Sequence, residues 1–138
     1  YKFLLQWRSK QLNQESRIQI SCEEQFVGII QGNYSLLETV FNNLLRNSIK
    51  HSSENTPISI SIAKFNNSQL LVSYRDQGKI HNLDVQRLGS LFYKSQNSSG
   101  SGLGLFIIKQ MMQLMNGQVE FNTSQNQLQI NLIFSLDS

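Results

Sequence analysis

The stretch from Asn33 to Glu54 constrains the fold more than any other part of this 138-residue chain. Wound at about 100° per residue, Leu36, Leu37, Val40, Phe41, Leu44, Leu45 and Ile49 form one broad apolar arc, which predicts a helix laid on a core. Asn33 or Ser35 can cap its start, and the pattern runs to about Ser53. Asn43, Asn47 and Lys50, at i, i+4 and i+7, share a narrow stripe on the border of that arc. Asn forms helices less well than the Glu, Lys or Arg that a solvated face normally carries. Two amides one turn apart therefore either bond the neighbouring backbone or serve a ligand.

The rest of the chain supplies a sheet and further helices. Tyr1 to about Gln14 carries Phe3, Leu4, Leu5, Trp7 and Leu12 among Lys2, Arg8 and Lys10, an amphipathic helix that can lead in from a preceding domain, its Trp and Leu serving as packing. Arg17 to Cys22 alternates as a strand, and Phe26 to Ile30 reads as a second, short strand ended by Gly32. Strict alternation from Ile58 to Phe65, a turn at Asn66 to Gln69, and a return over Leu70 to Arg75 predict an antiparallel pair. Between His81 and Ser99 the periodicity breaks down: a short helical stretch at Val85 to Leu91 leads into a polar, small-residue-rich segment of the kind that forms mobile functional loops. An apolar helix follows from about Leu105 to Met115, and Gly117 to Thr123 with Gln127 to Phe134 makes a closing hairpin. This order predicts an α+β fold, a two-layer α/β sandwich in which one mixed, mostly antiparallel sheet is covered on one face by about three helices. The length suits a single domain, with no internal repeat or boundary.

Charge and cysteine usage narrow the function. The net charge of +3 is spread over scattered Lys and Arg, which argues against nucleic acid as a partner and suits a small anionic ligand. The single Cys22 can form no internal disulfide and cannot build a metal cage alone, so a reducing cytoplasmic setting is expected. No apolar run has the length of a membrane span, and contact of this domain with a membrane is not expected. The start at Tyr1 rather than Met suggests an excised piece, whose parent can still be an inner-membrane protein.

Three groups of residues can carry chemistry. Gly100, Gly102 and Gly104 precede a helix, where free backbone N–H groups and the helix dipole favour an anion and glycine lets a phosphate approach closely; such a turn can equally be structural. Asp76, with Gly78 two residues on, either closes a turn or accepts a hydrogen bond from the exocyclic amino group of adenine, where guanine presents a repelling carbonyl. In the amide stripe, Asn47 can offer a carbonyl oxygen to Mg2+ without adding negative charge beside phosphates, and Lys50, joined by Lys94, can meet phosphate oxygens.

Asn43-Leu-Leu-Arg-Asn47-Ser-Ile-Lys50-His51, Asp76-Gln-Gly78, Phe92-Tyr93 and Gly100-Ser-Gly-Leu-Gly-Leu105, in this order, resemble the N, G1, F and G2 boxes of the catalytic, ATP-binding domain of bacterial sensor histidine kinases. The resemblance implies the Bergerat fold, shared with gyrases, heat-shock chaperones and mismatch-repair ATPases, with ATP and Mg2+ as cofactors. It implies that Asn47 is the magnesium ligand, that Asn43, Lys50 and Lys94 act on the phosphate side as catalytic groups, and that Asp76 reads adenine. Gly78, Ile80, Phe92 and Tyr93 then belong to the nucleotide site, His51 lies near the ribose or phosphates, and Gly100, Gly102, Leu103, Gly104 and Leu105 hold the phosphates. Residues 81–99 become the ATP lid. The implied partners are an upstream dimerisation and phosphoacceptor domain, expected before Tyr1, and indirectly a response regulator.

Within that superfamily Asn43 is the informative residue. Members that hydrolyse ATP resemble one another in having a glutamate base there, and an amide takes no proton from water at neutral pH. Little intrinsic ATPase activity is expected, and a gyrase-like or serine-kinase relative is disfavoured. The sequence departs from the pattern in two places: Lys79-Ile80 stands where G1 has its second glycine, and Gly89 where the F box begins with Phe. These keep open a second reading, a nucleotide-binding or interaction module that regulates a partner without phosphoryl transfer.

Overall fold

Alternation of Ile and Ser over Ile58-Ser-Ile-Ser-Ile62 sets the centre of the sheet: the three isoleucines are buried and Ser59 and Ser61 face solvent. The computed structural model describes residues 1–23, 30, 32–53, 55–78, 103–124 and 127–136. They form α1 (Lys2–Ser9), a 3-10 turn (Glu15–Arg17), β1 (Ile18–Cys22), α2 (Tyr34–His51), β2 (Ile58–Asn66), β3 (Gln69–Arg75), α3 (Leu103–Leu114), β4 (Gln118–Ser124) and β5 (Gln127–Ser135). The sheet order is β1-β2-β3-β5-β4, with β1 parallel to β2 and the remaining pairs antiparallel. A parallel pair needs a crossover, and α2 provides it. The result is the expected α+β sandwich with a mixed, mostly antiparallel sheet.

The core lies between helices and sheet. Leu4 and Trp7 of α1, Val40, Phe41 and Leu44 of α2, and Ile108 and Met112 of α3 pack with Ile58, Ile60, Val72, Ile130, Leu132 and Phe134 of the sheet. The cap of α2 is Asn33, whose side-chain oxygen accepts from the backbone N–H of Ser35 (2.9 Å) and Leu36 (3.2 Å). Trp7 does more than pack: its indole N–H donates to Asn42 Oδ1 at 2.9 Å, and its ring lies 5.5 Å from that of Phe41.

Arg17 is buried and sits in the 3-10 turn rather than in the strand. Its Nε donates to the Thr56 carbonyl (2.9 Å), Nη1 to Gln14 Oε1 (2.8 Å) and Nη2 to Ser52 Oγ (2.8 Å). This places a cation at the C-terminus of α2, where the helix dipole favours it.

The structure corrects two expectations. Ile49 is 50% exposed, so the apolar arc does not include it. The core-facing row is Leu37, Phe41, Leu44 and Ser48, and Ile49 lies about 100° around the helix from Ser48. The first helix ends at Ser9 rather than near Gln14: the bonds tighten there to three-residue turns, the Lys10 N–H on the Trp7 carbonyl (3.1 Å) and the Gln11 N–H on the Arg8 carbonyl (3.0 Å), the left-handed Asn13 (φ 67°) cannot continue a helix, and Leu12 is left 86% exposed. Of the short strand expected over Phe26 to Ile30, only Ile30 is described, in an isolated antiparallel bridge to Leu136. The helical stretch at Val85 to Leu91 and the whole segment 81–99 lie outside the described residues.

Candidate functional site

One edge of α2 carries the candidate site. Asn43 is buried and its side-chain Nδ2 donates to the carbonyl of Thr39 one turn back, at 2.7 Å. That bond turns Oδ1 toward the start of α3: a Cβ built on Gly104 would stand 3.6 Å from it, in ordinary contact. The first turn of α3 therefore abuts the middle of α2. Its leading N–H groups lack intrahelical acceptors, and no acidic side chain occupies that turn, so its partial positive charge is uncompensated from within the helix. Asn47 is half-buried about 6 Å further along the axis of α2, and Lys50 is exposed beyond it. His51, the last residue of α2, is half-buried.

The other end of the site is built where β3 runs out beneath the C-terminus of α2. Asp76 Oδ1 accepts from the Gly78 N–H at 2.9 Å, and Oδ2 accepts from Ser48 Oγ at 2.7 Å. Ser48 Oγ also lies 2.7 Å from the Tyr74 hydroxyl. A carboxylate accepts only, so the single proton of Ser48 is committed to Asp76 and Tyr74 donates to Ser48. Burial pushes the Tyr74 phenol well above its usual pKa, which keeps that donor proton in place. The backbone at Gly78 is pressed against α2: a methyl group there would overlap the carbonyl oxygen of His51 and come within 3.0 Å of Asp76 Oδ1. Only glycine permits this approach.

The fold thus brings Asn43, Asn47, Lys50 and His51 of α2 together with Asp76, Gly78, Leu103, Gly104 and Leu105. Lys94, Ile80, Phe92, Tyr93, Gly100 and Gly102 lie outside the described residues. Ser48 and Tyr74 were not among the residues singled out from sequence. The signal for Ser48 is that it is the one polar residue on the row Leu37, Phe41, Leu44, Ser48; for Tyr74 it is an inward position in the alternation of β3. Among the described residues no group of three or more His, Cys, Asp or Glu could cage a metal.

Residues 32–137 match the family described as histidine kinase-, DNA gyrase B-, and HSP90-like ATPase, a span that contains the whole candidate site. The heme sensor protein HssS of Staphylococcus epidermidis is 33% identical over 90 residues, covering 64% of this chain and 20% of that protein. HssS of Staphylococcus aureus is 33% identical over 94 residues, covering 67% of this chain and 21% of that protein. The chain spans about a fifth of the length of these curated relatives. Among solved structures, the mycobacterial sensor histidine kinase MprB superposes with a TM-score of 0.70 at 21% identity, over 98% of this chain and 90% of that chain. Full-length ShkA in complex with AMPPNP superposes with a TM-score of 0.76 at 18% identity, over 99% of this chain and 30% of that one. At such identities these two likenesses speak for the fold.

Proposed function

The chain belongs to the histidine kinase-, DNA gyrase B- and HSP90-like ATPase family, and from that premise we propose that it is the ATP-binding catalytic domain of a two-component sensor histidine kinase. The name of HssS as a sensor and the AMPPNP held by ShkA support this reading.

The donor set fits a magnesium nucleotide. Mg2+ keeps several waters and substrate oxygens and takes one or two protein ligands, so the half-buried amide of Asn47 on the edge of α2 is a donor of the right kind. When bound, Mg-ATP supplies the transferable γ-phosphoryl group and a cation that draws its oxygens together. Asn47 offers the metal a neutral amide oxygen. Lys50 and Lys94 would offset the charge of the phosphates, the Asn43 N–H not given to Thr39 would donate to them, and the N–H groups at the start of α3, with Gly100, Gly102, Leu103, Gly104 and Leu105, would cradle them. Asp76 accepts from the adenine amino group and repels the guanine carbonyl, Gly78, Ile80, Phe92 and Tyr93 line the base, and His51 lies near the ribose or phosphates. Residues 81–99 serve as the lid.

The observation that carries the choice of acceptor is Asn43. Its amide N–H is tied to the Thr39 carbonyl and its oxygen faces Gly104, leaving no proton-accepting carboxylate on this turn of α2. The domain positions and neutralises the phosphates, and a histidine held in line by a separate upstream dimerisation domain, to which α1 leads, takes the phosphoryl group before a response regulator receives it. No helix among the described residues is long and apolar enough to cross a membrane. On the likeness to sensor proteins such as HssS, we place the domain on the cytoplasmic side of a parent in the inner membrane.

The test on the chain alone is phosphate release with saturating Mg-ATP. Release indistinguishable from the uncatalysed background, with nucleotide bound, is the expected outcome. Turnover comparable to a dedicated ATPase, around 1 per second or faster, would contradict the transfer to histidine. Lys79-Ile80 in place of the second G1 glycine favours one alternative, a regulatory nucleotide-binding module, and tight binding without any phosphoryl transfer by the parent would select it.

A further inference from the structure

Two buried hydroxyls stand behind Asp76 with no place in the mechanism above. Tyr74 is 2% exposed and Ser48 is 0% exposed, and their oxygens form a chain of two 2.7 Å bonds that ends on Asp76 Oδ2. Oδ1 is held separately by the Gly78 N–H. A carboxylate offers about four acceptor positions, so each oxygen of Asp76 keeps one free for a ligand, and the directions of those free positions follow from how the carboxylate is held. Carboxylate torsions are broad on their own. Two tethers on opposite oxygens remove that freedom.

We propose that Tyr74, acting through Ser48, is a positioning residue that aims the Asp76 carboxylate and so sets how sharply the site distinguishes adenine from guanine. This rests on the reading of Asp76 as the base-recognising residue. The direction of the relay follows from the donor inventory. The Ser48 hydroxyl has one proton, and a helical serine has a competing acceptor in the carbonyl one turn back, here that of Leu44. Donation from Tyr74 occupies a lone pair of Ser48 Oγ and polarises its O–H toward the carboxylate, since bonds in such a chain strengthen one another. Without the phenol O–H, Ser48 is free to turn to the Leu44 carbonyl, and Asp76 keeps only the Gly78 tether. The ring of Tyr74 fills core space that Phe would fill equally, so Tyr74→Phe separates the hydroxyl from the packing.

The experiment is calorimetric titration of the chain with Mg-ATP and with Mg-GTP for the wild type, Tyr74→Phe, Ser48→Ala and Asp76→Asn. The proposal expects Tyr74→Phe and Ser48→Ala each to reduce the ATP-over-GTP affinity ratio by roughly three- to tenfold, the worth of one internal hydrogen bond. The double variant should do no more than the larger of the two, because both act through one bond to Asp76. Loss of melting temperature alone, with the affinity ratio of the wild type retained in both single variants while Asp76→Asn abolishes it, overturns the relay and leaves Asp76 as the reader. A wild-type ratio in Asp76→Asn overturns the base-recognition reading itself, and the relay falls with it. Should Tyr74→Phe not fold, Ser48→Ala decides the matter by the same ratio.

Discussion

Replacing Asn47 with Ala weakens Mg-ATP binding by roughly 100-fold, the scale on which metal sites respond to loss of a supporting group, while the melting temperature moves by about 3 °C or less. The asymmetry follows from where Asn47 stands. It is half-buried on the edge of α2, outside the packed row of Leu37, Phe41, Leu44 and Ser48, and its side chain makes no hydrogen bond to another described residue. Ala is the better helix former, so the fold has little to lose. The amide oxygen, in contrast, is the one protein oxygen assigned to the metal. The loss should vanish when Mg2+ is chelated and ATP is titrated alone, because the missing contact is to the cation. Equal Mg-ATP affinity for the two proteins by calorimetry would refute the ligand role.

Gly78→Ala strikes the fold and the site together. The added methyl group collides with the carbonyl oxygen of His51, and that carbonyl cannot readily retreat. The last turn of α2 is anchored by the Ser52 N–H on the Ser48 carbonyl at 2.9 Å and by Arg17 on Ser52 Oγ at 2.8 Å. The segment after β3 has to move instead, at a cost of about 3 kcal/mol, typical of forcing extra volume into a packed contact. Asp76 moves with it, since its Oδ1 is bonded to the Gly78 N–H. Urea unfolding should therefore show the lost stability, and ATP affinity should fall in the same variant. An alanine protein with wild-type stability and affinity would mean that this segment is not pressed against α2.

Most of the architecture could be read from periodicity because each element has a single buried face. The alternating isoleucines of β2 and the apolar row of α2 leave one orientation that buries them, and the capping oxygen of Asn33 lies at the predicted end. The amide stripe posed a choice between backbone bonding and a ligand, and Asn43 makes the backbone bond, its Nδ2 donating to the Thr39 carbonyl at 2.7 Å, while the ligand role of Asn47 rests on the proposal above. What escaped detection depends on contacts far apart in the chain. Ser48 and Tyr74 are separated by 26 positions, and Ser48 reads as an ordinary small polar residue until β3 is laid against α2. Ile49 failed as a core residue by one step around the helix, a shift too fine for hydrophobicity alone when a serine takes the inward place. The early end of α1 lies in backbone bonds that tighten after Ser9 and in the left-handed Asn13 beyond them, conformations that the apolar pattern cannot register.

The most direct measurement of the central claim, that this site passes a phosphoryl group from ATP to histidine, uses the parent protein and ATP labelled at the γ-phosphate. Label that appears on the parent, is lost in acid and survives base marks a phosphohistidine, and its disappearance in the Asn47→Ala parent ties it to this domain; that is the predicted result. Acid-stable label, or no label despite Mg-ATP bound as tightly as calorimetry can resolve, would contradict it.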